Sequence, residues 1–239
     1  MKPQQPDPGT FQPGDIIWPK KPGVFVPYES KLGADYTTDR TQWEQDRTAF
    51  VAQSRRKSLK PAGAQTIALL ESMSFDEFLA LYLGDIGGVS SANAAFNQGK
   101  GGPIYVGHCG MVYFQDKQPW VVEAVKPTVR RISYAKWIAE RREEDVWHGR
   151  LKGVEQTDRE RVAAEANKYV GRPYKFWNYN LDDDSGFYCS KLVWLAVFRT
   201  LRLALDDIMD PDRPIWYSPK QLLHSPHIEC KFCPGRYFV

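Results

Sequence analysis

Three side chains in this sequence have the types and settings that nucleophilic chemistry needs. Cys189 follows Phe187-Tyr188 and opens an apolar run that reads as a helix. A helix N-terminus carries unpaired N–H groups and a partial positive charge. Both favour the thiolate, the reactive form of cysteine, and both can hold a developing oxyanion. His108 stands in Tyr105-Val106-Gly107-His108-Cys109-Gly110-Met111-Val112, early in an apolar strand, between glycines that leave it room to meet another side chain. Glu123 lies in Trp120-Val121-Val122-Glu123-Ala124, a carboxylate inside an apolar returning strand. Buried alone it would be costly, so it needs a partner or a wet cleft. A simple hairpin register puts it on the sheet face of His108, displaced along the strands. A carboxylate that orients an imidazole, which activates a thiol, is the logic of a catalytic triad. Each residue also has a plainer reading: an inert buried cysteine, a satisfied core histidine, an edge glutamate facing water.

The elements that must position these residues follow from patterning. Residues 1–13, rich in Pro and Gln, read as a flexible lead. Gly14-Asp15-Ile16-Ile17-Trp18 reads as a short buried strand bounded by Pro13 and Pro19. Residues 27–103 read as a mostly helical insertion. Within it Ile67, Leu70, Met73, Phe75, Phe78, Leu79 and Tyr82 have helical spacing, and Ser74 with Glu77 forms a capping box that starts a second helix. The glycine-rich 98–103 lacks the spacing of a phosphate-binding loop and reads as a linker. Strands are expected at 104–113, 120–125 and 146–151. Thr157 and Glu160 are expected to form a capping box for a helix that turns Val162, Ala163, Ala166 and Tyr169 inward. The helix after Cys189 is apolar nearly all round and belongs in the core. Alternation along the strand points Cys109 away from His108, as buried filler.

These segments, in this order, resemble the circularly permuted branch of the NlpC/P60 superfamily often called YiiX-like, a papain-fold family. The resemblance is carried by Gly14-Asp15-Ile16-Ile17, by Gly107-His108-Cys109-Gly110-Met111-Val112 and by Val121-Val122-Glu123-Ala124. It continues through 147–152, Tyr169-Val170-Gly171-Arg172-Pro173-Tyr174, Phe187-Tyr188-Cys189-Ser190-Lys191-Leu192-Val193 and Ser218-Pro219-Lys220-Gln221-Leu222-Leu223. It implies an α+β fold, an antiparallel sheet packed on the cysteine helix, in a single domain over 14–239. It implies thiol-based cleavage of amide bonds, commonly in peptidoglycan stem peptides, with Cys189 as nucleophile, His108 as base and Glu123 as orienting residue, and no cofactor. Unpermuted relatives usually carry Asp before the cysteine to bind a substrate amine; here that residue is Tyr188, with Asp182, Asp183 and Asp184 just upstream. Tyr188, Asp184, Tyr174 and Trp177 are the candidates for substrate contact.

Composition narrows the function classes. A net charge of +3 and a pI near 8.6 are too mild to argue for nucleic acid. The run Arg55-Arg56-Lys57 reads as a solvated face. Four cysteines are too few for a disulfide-built scaffold. His224, His227, Cys230 and Cys233 have zinc-ligand types at a spacing of three, with a Cys230–Cys233 disulfide and plain surface packing as alternatives, and no metal is assigned. No stretch approaches the ~20 apolar residues of a membrane span, and 1–13 lacks the apolar core of a signal peptide. The expectation is synthesis in the cytoplasm and, for a cell-wall enzyme, export or injection into a target periplasm, as for a type VI secretion effector with an immunity or secretion partner. Two other classes stand beside it: a lipid-directed thiol acyltransferase or thioesterase, and a non-catalytic binding module.

Overall fold

Alternating apolar residues along the described strands pair into one antiparallel sheet. In the computed structural model, residues 2–20, 36–57, 59–75, 77–78, 108–211 and 217–235 are described. The strands are β1 (Ile16–Lys20), β2 (Gly110–Gln115), β3 (Gln118–Ala124), β4 (Val129–Ser133), β5 (Asp145–Leu151) and β6 (Ile228–Phe232), in the spatial order β4-β3-β2-β1-β5-β6. Every pairing is antiparallel. The opening strand therefore lies inside the sheet, between the hairpin that follows His108 and the later β5. The period of two sorts the side chains onto two faces. Ile16, Trp18, Met111 and Val122 join the larger core. Ile17, Val112, Val121 and Val146 join a smaller core on the other side, with Phe11, Tyr134 and Trp137.

Helices cover both faces. The helices are α1 (Tyr36–Arg55), α2 (Pro61–Ser72), α3 (Tyr134–Ala139), α4 (Gln156–Lys168), α5 (Cys189–Leu201) and α6 (Pro219–Leu223). Residues Ser190 to Phe198 of α5 are all buried, as the all-round apolar pattern requires. Helix α4 lies beside it and buries Val162, Ala163 and Ala166. On the smaller face α3 is capped by Ser133, whose hydroxyl accepts from the Lys136 N–H, and it buries Tyr134 and Trp137.

Several expectations are corrected. Residues 4–11 are not a loose lead. Gln4 bonds the Asp145 carboxylate and accepts from the Val146 N–H, Gln5 reaches the Arg141 and Glu144 carbonyls, and Phe11 is buried against Tyr134 and His148. One apolar ring and paired backbone groups suffice to hold a proline-rich segment. Helix α4 starts at Gln156 after Glu155, with no side-chain cap, so Thr157 and Glu160 form no capping box. The Ser74–Glu77 box does form, with Glu77 N–H donating to Ser74 Oγ and Ser74 N–H to Glu77 Oε2. The described part of the insertion is helical, and α1 lays Trp43 and Phe50 against Trp177 and Tyr179 of the main body. Leu79, Tyr82 and the linker at 98–103 lie outside the described residues.

A second buried acid anchors β1. Gly14 adopts φ +78, and a Cβ there would come within 2.6 Å of the Arg159 carbonyl oxygen, so glycine is required. Asp15 follows it, wholly buried, and accepts from Arg150 at 2.7 and 2.8 Å and from the Gln12 N–H at 2.8 Å, with His148 Nε2 2.7 Å away. Burial pushes its carboxyl up, but Arg150 and His148 outweigh burial and hold it below the usual range. Removing this carboxylate strands a cation in the sheet. Asp15→Ala is expected to lower unfolding stability by about 3 kcal/mol in urea titration, and to speed hydrogen exchange in residues 4–11. Because the folded carboxyl titrates below its ordinary value, the wild-type advantage is present above the unfolded pKa and fades as pH falls. An unchanged urea midpoint would refute the anchor role.

Candidate active site

The site is assembled where β2 begins and α5 begins. The register Met111↔Val122 sets Gly110 opposite Glu123, so His108, two residues before Gly110, falls on the Glu123 side. The displaced hairpin register expected from sequence is the one observed. His108 Nε2 lies 2.7 Å from Glu123 Oε2. Glycine at 110 is needed here, because a Cβ would lie 2.7 Å from Val121 Cγ1 and 3.4 Å from Glu123 Cβ. The Cys189 sulfur is close enough to the imidazole for each group to shift the other's titration. Of the three residues singled out by type and spacing, His108 and Glu123 are in direct contact, and Cys189 influences the imidazole electrostatically.

Glu123 is wholly buried and heavily supplied with donors. Trp137 Nε1 donates to Oε2 at 2.8 Å, Arg130 Nε and Nη2 donate to Oε1 at 2.8 and 2.6 Å, and Arg141 Nη2 donates to Oε2 at 3.1 Å. The Arg141 guanidinium also lies over the Trp137 ring, 4.3 Å from its centroid. Burial pushes the Glu123 carboxyl up, but the His108 bond and charge, Arg141 and Trp137 outweigh it and hold the group far below the usual carboxylate range. Sequence reasoning missed these donors. The segment 126–145 was not read as structured, although Ser133 followed by Tyr134, Trp137 and Ile138 has the spacing of a capped, amphipathic turn.

Cys189 is the first residue of α5. Its N-cap, Tyr188, has extended backbone (φ −103, ψ 168) and makes no side-chain cap. The residues around it are tied down. The Tyr217 N–H donates to Tyr188 Oη at 3.1 Å, Ser190 Oγ donates to the Tyr217 carbonyl, and Lys191 Nζ donates to the Asn178 and Asn180 carbonyls at 2.9 and 2.6 Å. Burial lowers the Lys191 ammonium to about 7, against the pull of Asp183 and Asp184. Hydrogen bonds from Cys109, and then the His108 bond and charge, overcome burial and lower the Cys189 thiol well below its ordinary value. Burial lowers the His108 imidazole, but bonds and charge from Cys189 and Glu123 win and raise it to about 9. Both shifts favour the thiolate–imidazolium form of the pair.

The substrate-contact candidates divide. Tyr174 is half-buried beside the sulfur, and burial and the Cys189 charge push its phenol above the ordinary range. Tyr188 is 1% exposed with its hydroxyl already engaged by Tyr217, so it faces the core and not a ligand. Asp184 pairs with Arg199 at 2.7 Å. Arg199 lies ten residues along α5, about 15 Å from Cys189, so Asp184 stands away from the site. Trp177 stacks on Phe78 and contacts Trp43 and Phe50, joining the insertion to the body. Cys109 is wholly buried in the larger core with Met111 and Val122, as expected of filler. Of the His/Cys run near the C-terminus, Cys230 and Cys233 form a disulfide and His227 pairs with Asp207 at 2.7 Å. Among the described residues no three His, Cys, Asp or Glu side chains gather as a metal site would require.

The electrostatics predict a two-step pH profile, readable without a substrate. Alkylation of Cys189 by iodoacetamide is expected to be on its thiolate plateau at neutral pH, and to change again near pH 9 as His108 deprotonates. In Glu123→Gln the upper step should move to lower pH, since the charge that favours imidazolium is gone. A single step at about 8.5, the value of an ordinary cysteine, would refute the ion pair. Trp177→Ala, which removes a partly buried ring packed on Trp43, Phe50 and Phe78, should lower the urea midpoint and leave this profile in place.

With the geometry in hand, comparisons place the chain among known proteins. The family described as "Permuted papain-like amidase enzyme, YaeF/YiiX, C92 family" matches residues 84–215. The uncharacterized protein YiiX of Escherichia coli K12 is 37% identical over 90 residues, 36% of this chain and 42% of that protein. The matched segment thus spans less than half of that relative's length. The crystal structure of metalloprotein YiiX from Escherichia coli O157:H7 aligns with a TM-score of 0.44 at 22% identity, over 52% of this chain and 80% of that one. The family match covers more than half of the 239 residues and includes His108, Glu123 and Cys189; the chain belongs to the permuted papain-like amidase family.

Proposed function

We propose that this protein is a cysteine-dependent amide hydrolase and that its substrates are peptidoglycan stem peptides. The observation that supports the reading is the 2.7 Å contact of His108 with the buried Glu123, next to Cys189 at the start of α5, whose charge raises the imidazole. The Cys189 thiolate attacks the amide carbonyl carbon. The oxygen that gains charge is held by N–H groups at the start of α5. As the tetrahedral centre collapses, the C–N bond breaks and His108 gives its proton to the leaving amine. Water then attacks the thioester while His108 takes a proton, releasing the acid and restoring the thiolate. Glu123 keeps the ring oriented throughout and stabilises its charged form. Tyr174 borders the reacting sulfur and is the residue of this set best placed to touch substrate.

A second reading has one observation in its favour. Tyr188 stands where unpermuted relatives place an amine-binding Asp, and it is buried with its hydroxyl engaged. A substrate without a free amine, such as a lipid-linked acyl group handled by a thioesterase or acyltransferase, fits that change. Among the described residues no helix is long and apolar enough to cross a membrane. For the peptidoglycan reading, the biological setting we propose is an exported antibacterial protein that meets its target in another cell's periplasm and has an immunity protein as partner.

Purified protein incubated with peptidoglycan sacculi, followed by mass analysis of soluble products, tests the first reading. Wild type is expected to release peptides cut at one amide bond, and Cys189→Ala to be slower by about 1000-fold or more. Directed to a bacterial periplasm at matched levels, wild type should lyse or round cells and Cys189→Ala should not. Intact sacculi, together with Cys189-dependent release of acyl chains from lipid substrates, would replace the first reading by the second. Equal effects of wild type and Cys189→Ala would refute both.

A further inference from the structure

Glu123 meets more positive charge than it can balance. Arg130 reaches its Oε1 through Nε and Nη2, and Arg141 Nη2 reaches its Oε2, so two guanidiniums share one buried carboxylate before the imidazole is counted. Taken alone, that set leaves a positive charge in excess beside His108, and a like charge nearby disfavours a protonated ring. A second carboxylate removes the excess. Glu140 Oε2 accepts from Arg130 Nη2 at 2.7 Å and lies 3.6 Å from Arg141 Nη1. The same Arg130 nitrogen donates to Glu123 Oε1 at 2.6 Å. Two carboxylates and two guanidiniums thus form one closed network, with His108 Nε2 2.7 Å from the Glu123 end of it. The Glu140 side chain is 39% exposed, so it forms the rim of the network while Glu123 forms its floor. Glu140 also stands at the C-cap of α3, where the helix presents its negative end. Helix electrostatics disfavour a carboxylate there, and the two arginines account for its placement.

We infer that Glu140 is a positioning residue that acts on His108 through Arg130, Arg141 and Glu123. It neutralises the guanidinium charge that Glu123 does not, and so leaves the protonated imidazole favoured in the resting site. Its contacts are with the guanidiniums and not with the ring. The groups that face His108 from neighbouring elements are Glu123 from β3 and Cys189 from the start of α5, with Cys109 next to it in the chain and Tyr174 within the influence of the Cys189 charge. Replacing Glu140 removes none of them, so a change in the titration of the ring reports the outer network. The protonated ring is the form that gives its proton to the leaving amine. The inference rests on the proposed hydrolysis for that use, but the titration of the ring is read without any substrate.

The test follows the four histidines by NMR in imidazole-labelled full-length protein, across neutral and alkaline pH, with the His108 signal assigned by its loss in His108→Gln. Glu140→Gln is expected to move the His108 titration to lower pH by roughly half a pH unit. Glu140→Lys loses the same contacts but adds a positive charge, and should move it about twice as far in the same direction. Arg130→Gln removes one guanidinium, and should move it to higher pH. A role confined to holding Glu123 in place predicts a different pattern. All three variants would then loosen the carboxylate and lower the titration, the two Glu140 variants by equal amounts. That pattern, or an unmoved titration in Glu140→Gln, overturns the inference. If Arg130→Gln fails to fold, the two Glu140 variants, both at a rim position, decide the matter by whether their shifts scale with charge. Graded shifts in a protein that leaves sacculi intact would uphold the network and refute only the proposed substrate.

Discussion

The structure depends on how one buried negative charge is accommodated. An unpaired carboxylate in the interior costs several kcal/mol, and it persists only where donors surround it. Glu123 meets that condition with His108 at the start of β2, Arg130 on β4, Trp137 on α3 and Arg141 just beyond α3. Four separate segments are thereby tied to one point on β3. The consequence is chemical as well as structural. Because the carboxylate cannot easily take up a proton in this setting, it is a permanent charge against which the imidazole is both oriented and kept protonated. The same requirement explains why 126–145 folds back over the smaller face of the sheet: without α3 and its flanking arginines, Glu123 would be a liability in the core.

The other half of the site is a helix end held still from outside. Tyr188, Ser190 and Lys191 flank Cys189, and all three are buried with their polar atoms spent on Tyr217, Asn178 and Asn180. Only the cysteine among these residues faces the site. A lysine placed two residues after the nucleophile could have been taken for a catalytic group, yet its ammonium is consumed by two carbonyls and serves to hold the 178–180 loop against the helix. The aromatic residues of that loop in turn receive Trp43 and Phe50 of the insertion. Position is thus passed from the inserted helices, through a packed aromatic cluster, to the loop and the start of the cysteine helix.

Asp15 repeats the logic of Glu123 just before the central strand β1. It too is a wholly buried acid beside a histidine and an arginine. Its histidine is buried and has no thiol partner, so the same pair of residue types serves only as an anchor for β1 and the N-terminal segment. What separates this pair from His108 and Glu123 is therefore the third group, Cys189, and not the pair itself.

Much could be read from residue order alone. Period-two patterning located β1, β3 and β5, and an apolar run with no polar face placed α5 in the core, because burial on all sides leaves that signature. Cys189, His108 and Glu123 stood out because each type is costly or reactive in its local setting, which is a property of short segments. What residue order left undetermined depends on distance in space between segments far apart in the chain. The donors of Glu123 come from 130–141, and no local pattern connects them to position 123. Cys109 was assigned by strand alternation to the larger core, and it is buried there with Met111 and Val122. Tyr188 and Asp184, adjacent or nearly adjacent to Cys189 in sequence, were assigned to the site by proximity along the chain. The fold turns one into the core and pairs the other with Arg199, a helix length away. Residue types and their periods specify what each segment can do; which of those capacities is used is decided by packing, since only packing sets which groups are desolvated together.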